Sequence, residues 1–451
     1  MSDPIADSLP DIIAARLPDH LMRQRWSGAA DRPIDRAELL WHELVLDHEP
    51  YLLWTVARAY FADGGEQDYQ LFIGARDVND QPKFLHGKER EIIALAARVD
   101  GDGELVLYDA LVDPDLAIAV LHLADPDRVV EVRRPIVLEH SNSSVVFDEE
   151  VILKVFRKVE PGPNPDVEIT RVLAERGYEH VLEPLAELER DGTDLAVLRR
   201  FLVGSVEGWT IARTSVRDLL ASRVAPGEAG ADFAPESGRL GTMLAELHLQ
   251  LADAWGSEPG DGTAWAADMR EQLAEVRPIE GLDVEAVAAR FDELAALRDV
   301  GAQVHIHGDL HLAQVIQGDT GWVVLDFEGE PARRRAARYT VSSPLRDVAG
   351  LLRSLHYAAA VGRAEWGEDG ELDLLALGWE QRNREALLRG YFEAEGIDAL
   401  LPTDPSSRTT VLDAFELDKA VYEVAYELAH RPEQVEIPLA GIQRLLPTPT
   451  K

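Results

Sequence analysis

His305-Ile306-His307-Gly308-Asp309-Leu310-His311-Leu312-Ala313-Gln314 and, shortly after it, Trp322-Val323-Val324-Leu325-Asp326-Phe327-Glu328 are the stretches that decide how this chain is read. The first has a Gly beside an Asp and polar residues at every second or third place, the pattern of a loop. The second has three apolar, β-favouring residues ending on a carboxylate, the pattern of a strand. Asp309 and Gln314 are five apart, and Asp326 closes the strand that follows. Phosphoryl transfer uses this constellation: one Asp orients and deprotonates an attacking hydroxyl, while an amide oxygen five residues on and a second Asp hold magnesium against phosphates. Oxygen ligands suit such a hard cation.

A second chemistry competes for the same residues. His305, His307 and Asp309 spell most of the H-x-H-x-D-H signature of binuclear metallohydrolases, and a His cluster is a natural zinc site. The spacing fails after Asp309, where Leu310 stands and the next His comes one residue late, at His311. A buried His–Asp hydrogen-bond network is the plain alternative, but it leaves Gln314 and Asp326 without a reason for their positions.

The 451 residues exceed what one core holds, so two or three domains are expected. Lys and Arg number 45 against 82 Asp and Glu, giving a net charge of -37. Such a chain repels nucleic acid and anionic membrane, and its field favours a neutral or cationic small molecule. With no cysteine, thiolate metal sites, disulfides and cysteine nucleophiles are excluded. No basic stretch followed by an apolar one opens the chain and no apolar run reaches membrane length, so a cytoplasmic location is expected.

Outward from the central loop, Ile136-Val137-Leu138, Val145-Val146-Phe147 and Val151-Ile152-Leu153-Lys154-Val155-Phe156 read as a small antiparallel sheet. Its Ser141-Asn142-Ser143-Ser144 loop offers hydroxyls and backbone N–H groups to phosphates. Lys154 stands alone among apolar residues and needs a partner, because burying an unpaired ammonium is costly. Glu168, in a helix expected from Asp166 to Arg176, is read as that partner. There is no Walker A loop: His86-Gly87-Lys88-Glu89 lacks the upstream Gly and the following hydroxyl residue. Before the sheet, Pro10 to Met22 reads as a helix and Glu43–Leu46, Tyr51–Val56, Tyr69–Ile73 and Glu104–Tyr108 as strands, with no catalytic motif. After it the chain is mostly helical. Near its end, Glu416, Lys419, Glu423 and Glu427 recur at steps of three and four beside an apolar stripe. They are read either as acceptor contacts or as ordinary surface pairs. Arg346 and Asp347 are read as braces of the central loop or as acceptor contacts.

These stretches together resemble one family. Ser141–Val145, Ile152–Arg157, Asn164–Glu168, His307–Leu312, Asp326–Pro331, Ser343–Gly350 and Glu416–Glu423, with Arg23-Gln24-Arg25-Trp26 near the start, are similar to the actinobacterial maltokinases, relatives of the aminoglycoside phosphotransferases. The resemblance implies an α+β, eukaryotic-protein-kinase-like bilobal fold with an N-terminal cap. Residues 1–130 would form the cap and an intermediate subdomain, 131–204 the nucleotide-binding lobe, and 205–451 the helical lobe with the catalytic and acceptor site. It implies transfer of the γ-phosphate of ATP to a sugar hydroxyl with Mg2+. Ala313 departs from the family's usual Gly, His356 from its usual acidic residue, and Glu433-Gln434-Val435-Glu436 from an expected Trp. These departures and the acidic balance favour the branch that resembles glucosamine kinases, ahead of maltokinase itself, with the zinc hydrolase more remote. The expected roles are Asp309 as base, Gln314 and Asp326 as metal ligands, and Lys154, Glu168, Ser141, Ser143 and Ser144 for the nucleotide. His311, Arg346, Asp413, Glu416 and Lys419 would meet the acceptor. A monomer or weak homodimer is expected.

Overall fold

The computed structural model describes residues 4–29, 32–80, 83–98, 103–131, 136–139, 142–329 and 341–446. Packing divides the chain into two compact units, residues 1–168 with 183–203, and residues 169–182 with 204–451.

The first unit holds two antiparallel sheets. One contains β1 (Ile34–Leu46), β2 (Tyr51–Phe61), β3 (Glu66–Asp77), β4 (Ile92–Ala97) and β5 (Glu104–Asp109), in the order β1-β2-β3-β5-β4. The other contains β6 (Ile136–Glu139), β7 (Ser143–Phe147), β8 (Val151–Val155), β10 (Ala186–Arg190) and β11 (Thr193–Arg200), in the order β10-β11-β8-β7-β6; a short β9 (Lys158–Val159) joins β3. Side chains alternate across a strand, and here both faces of the first sheet are apolar. Leu53, Ala57, Leu71, Ile73 and Leu107 pack with Leu9, Ile13, Leu17 and Leu21 of α1 (Pro4–Arg23). Leu52, Trp54, Phe72, Val106 and Tyr108 face the other way, into a core with α2 (Pro114–Ala124) and with Val145, Phe147, Leu153 and Val155 of the second sheet. That shared core is why the two sheets form one unit. The β7–β8 hairpin turns at Asp148 and Glu149, both with positive φ, the backbone that matches strand twist in a tight hairpin.

The division between the units falls within α3 (Pro165–Glu175). The second unit contains α4 (Gly208–Ser222), α5 (Ala234–Trp255), α6 (Gly262–Glu275), α7 (Val284–Ala296), α8 (Leu345–Ala364), α9 (Gly370–Phe392), α10 (Pro405–His430) and α11 (Glu436–Leu445). Their apolar stripes enclose one core that includes Leu244, Phe291, Leu352, Trp379 and Val424. Two small sheets carry the loops of interest: β12 (Val206–Glu207) with β15 (Val315–Gly318) and β16 (Gly321–Val324), and β13 (Glu258–Pro259) with β14 (Ala302–His305) and β17 (Val341–Ser342). Among the described residues no helix is long and apolar enough to cross a membrane.

Candidate active site

The central stretch leaves β14 at His305 and turns at Gly308, whose φ of 84° favours glycine. Asp347, at the start of α8, fixes the turn from beneath: its carboxylate accepts the backbone N–H groups of His307 at 2.8 Å and Gly308 at 2.9 Å. Asp347 is fully buried, which opposes its charge. The hydrogen bond and charge of His248, with the Gly308 N–H, outweigh that and hold the carboxyl below its ordinary range. His248 lies 3.2 Å from Asp347 and 2.8 Å from the Tyr391 hydroxyl. On the other side α8 passes so close that a Cβ at Gly350 would run into the Leu310 carbonyl oxygen.

His307 corrects the zinc-hydrolase alternative. Its Nε2 lies 2.8 Å from the Leu325 carbonyl oxygen, and its Nδ1 accepts the Asp309 N–H at 3.3 Å. Both ring nitrogens are occupied, Nε2 tying the loop to the end of the strand before Asp326 and Nδ1 bonding within the loop. Among the described residues, His305, His307 and Asp309 form no metal-ligating group.

Register explains why spacing along the chain becomes proximity. Val315 of β15 pairs with Val324 of β16, so Gln314 and Leu325 leave the hairpin at the same end, with the Leu325 N–H on the Gln314 carbonyl at 2.8 Å. Gln314 then donates from Nε2 to Asp326 Oδ2 at 3.2 Å. Asp326 has a φ of 65°, a left-handed backbone that is rare outside glycine and concentrates at functional sites. His311 caps the short turn Leu312–Gln314 through the Ala313 N–H; burial, more than its neighbours' charges, pushes its pKa down.

Asp309 opens onto a cleft that Gln272, Arg346, Phe415, Asp418, Lys419 and Tyr422 also line. Lys419 Nζ donates to Asp309 Oδ1 at 3.0 Å. Gln272 donates to the Asp418 carboxylate at 2.8 Å and to its carbonyl at 2.9 Å. The remaining α10 carboxylates lie elsewhere. Arg384 grips both oxygens of Glu416, at 2.7 and 2.9 Å, and Arg290 holds Asp413 at 2.9 Å. Burial nevertheless raises the Asp413 pKa. Arg353 binds Glu423 at 2.7 Å, while Tyr357 and Arg431 bind Glu427. The stripe read as acceptor contacts or as surface pairs is thus mostly a buried, paired seam. The carboxylate that reaches the cleft is Asp418, which the sequence reading had not singled out. Its signal was its place beside Lys419 within a helix whose other acids find arginines. His356, which stands where the resembling family has an acid, lies 3.1 Å from Glu380 and 2.9 Å from the Ile437 carbonyl oxygen.

In the first unit, Lys154 of β8 pairs across the strands with Ser144 of β7. Opposed residues share a face, so Ser144 stands beside Lys154, while Ser143 turns to the other face and its hydroxyl accepts from Arg157 at 2.8 Å. Ser141 lies outside the described residues. The ion pair described for Lys154 is with Asp166, at 3.0 Å; Arg199 reaches the same carboxylate oxygen at 2.9 Å. Asp166 is buried, and the charges of Arg199 and Lys154 overcome burial to hold its carboxyl well below the usual range. Asp166 shares the buried stripe of α3 with Ile169, Thr170 and Leu173, while the half-buried Glu168 falls in line with Arg171, Val172 and Glu175.

A family model described as the phosphotransferase enzyme family matches residues 133–370. The chain belongs to that family. It is an enzyme of phosphoryl transfer with the α+β fold of kinase-like phosphotransferases. Two curated relatives are both named glucosamine kinase. The one from Streptacidiphilus jiangxiensis is 30% identical over 337 residues, spanning 70% of this chain and 73% of the relative. The one from Mycolicibacterium smegmatis is 27% identical over 333 residues, spanning 69% and 79%. A solved structure of a glucosamine kinase in complex with glucosamine, ADP and inorganic phosphate matches at a TM-score of 0.66 and 21% identity, over 99% of this chain and 100% of that one. A further crystal form of a glucosamine kinase matches at 0.67 and 21%, over 97% and 99%. At this identity the structural likeness shows a common fold.

Proposed function

We propose that the protein transfers the γ-phosphate of ATP to glucosamine, giving glucosamine 6-phosphate. The observation that carries this reading is Asp309: a carboxylate on a braced loop, one oxygen held by Lys419, at the wall of a cleft that also presents Asp418. The relatives named glucosamine kinase support the acceptor. A protonated amine suits a cleft with two carboxylates in a chain of net charge -37.

Asp309 orients the acceptor hydroxyl and takes its proton as the oxygen attacks phosphorus. Lys154, with Ser144 beside it, holds phosphate oxygens, and Asp166 with Arg199 keeps the ammonium in place. Gln314 and Asp326 offer an amide and a carboxylate and no sulfur or ring nitrogen, a donor set that fits Mg2+. When bound, that ion neutralises charge on the phosphates. Positioning and charge supply most of the rate in this chemistry, and the base adds on the order of 10²–10⁴-fold.

The test is ATP consumption, with magnesium, on glucosamine, glucose, N-acetylglucosamine, maltose, trehalose and one aminoglycoside, with the product mapped by phosphorus NMR. Turnover on glucosamine with a 6-phosphate product is expected. Turnover on maltose with an anomeric phosphate would overturn the choice of acceptor and leave phosphoryl transfer standing.

A further inference from the structure

We propose that Lys419 is a positioning residue for phosphoryl transfer, pinning one oxygen of Asp309 so that the other is presented to the acceptor hydroxyl. This rests on the reading of Asp309 as the base.

The pair is 3.0 Å long, and the two side chains are each about a fifth exposed, 20% for Lys419 and 21% for Asp309. An ion pair this open to water stabilises a fold little, and a long flexible lysine gives up side-chain freedom to make it. Stability is therefore a weak reason for its geometry, yet the geometry is closely specified. Lys419 sits on α10 between two buried ties: Glu416 to Arg384 on the turn before, and Glu423 to Arg353 on the turn after. Its ammonium lies 4.8 Å from the Tyr422 ring, three residues on, a cation–aromatic contact that limits where the lysine end can swing. The other partner stands on the loop braced by Asp347. Both ends of the contact are fixed by separate sets of bonds.

The contact is also one-sided. Lys419 uses Oδ1, and among the described residues no donor reaches Asp309 Oδ2. A carboxylate held by one oxygen cannot turn freely, so the second keeps a constant direction into the cleft. In the reaction, the acceptor O–H proton passes to Oδ2 and the acceptor oxygen forms a bond to the γ-phosphorus. The bond from that phosphorus to the β,γ-bridging oxygen breaks, and ADP leaves with its electron pair. Misplacing a reacting group by about 1 Å costs on the order of 100-fold, which sets the scale expected for losing the pin.

The chain has no cysteine, so a single Lys419→Cys thiol can be alkylated alone. Reaction with 2-bromoethylamine restores an ammonium at nearly the lysine's reach; iodoacetamide adds a neutral group of similar size. The expected result is that Lys419→Met and unmodified Lys419→Cys lose about 10- to 100-fold in kcat, with KM for ATP within twofold and the melting temperature little changed. Aminoethylation restores at least tenfold, and carbamidomethylation does not. Equal recovery with both reagents, no recovery with either, or an unchanged kcat in both variants would overturn the proposal. Should Lys419→Met fail to fold, the alkylation comparison decides alone. Asp309→Asn, measured in parallel, separates the two failures. If it keeps normal kcat the base assignment is wrong; if it is inactive while the lysine variants are unimpaired, only the role of Lys419 falls.

Discussion

Each unit of the protein holds a lysine–carboxylate pair of 3.0 Å, Lys154–Asp166 in the first and Lys419–Asp309 in the second. Equal length conceals different physics. Asp166 is 0% exposed and is held by both Lys154 and Arg199. Asp309 is 21% exposed and shared with no second cation among the described residues. A buried carboxylate between two cations is an anchor: removing it strands charge in a low-dielectric site. A half-open carboxylate with one oxygen to spare can exchange a proton with a ligand. The comparison predicts that substitutions in the second pair change rate without changing stability, and that substitutions in the first change stability first.

The largest effect is expected at Asp309. Asp309→Asn keeps shape and the contact to Lys419 but removes the base, so kcat should fall on the order of 10⁴-fold while ATP still binds and the melting temperature holds. Near-normal kcat in initial-rate assays would break the comparison at its more important end. Asp166→Ala should instead cost roughly 3 kcal/mol of stability by removing the buried carboxylate that Lys154 and Arg199 share, read as a lower urea midpoint, with a raised KM for ATP as Lys154 loosens. A variant as stable as the parent would make the first pair no anchor at all. The second unit has its own rigid point. Gly350→Ala would press α8 against the Asp309 loop at Leu310, and an overpacked contact costs about 1–3 kcal/mol. Because the same helix carries Asp347, kcat should fall with stability, and a loss of stability without a loss of rate would separate α8 from the loop.

What the sequence made legible follows from how local each signal was. Gly308, Asp309, Gln314 and Asp326 stand on one loop–hairpin segment whose register needs only β15 and β16. Hairpin β7–β8 and its lysine are equally local. Partner choice was not local. Asp166 and Glu168 are both acids at the start of α3, and only the buried stripe separates them. Likewise Glu416 and Asp413 look as available as Asp418 until Arg384 and Arg290 arrive from other helices. Strand lengths were underread for a related reason. β1 runs from Ile34 to Leu46, but it is a half-exposed edge whose polar residues hide the period of two. Its span is set by pairing with β2, from Ile34 opposite Phe61 to Leu46 opposite Leu52.

The smallest prediction concerns α1, where the first unit again buries polar groups. His20 of α1 is buried, near Asp109 and near Arg157, whose guanidinium lies over Trp26 at 4.7 Å. Burial, helped by the charges of Arg157 and Arg23 and opposed by Asp109, lowers its pKa to about 4. A folded state that keeps this imidazole neutral binds its proton later, on acidification, than the unfolded chain, whose histidine titrates near 6.5. Between those values the unfolded state holds more protons, so stability is full above pH 6.5 and declines toward pH 4. His311, also lowered by burial, adds in the same direction. The carboxylates of Asp166 and Asp347, held below their ordinary range, add their losses only at lower pH. At pH 5.5 the His20 contribution alone comes to about 1 kcal/mol. Urea midpoints measured from pH 7.5 to 5.5 should therefore fall, and His20→Leu should flatten much of that slope. Equal slopes in the parent and His20→Leu would remove α1 from the account and leave the pH dependence to His311, inside the second unit.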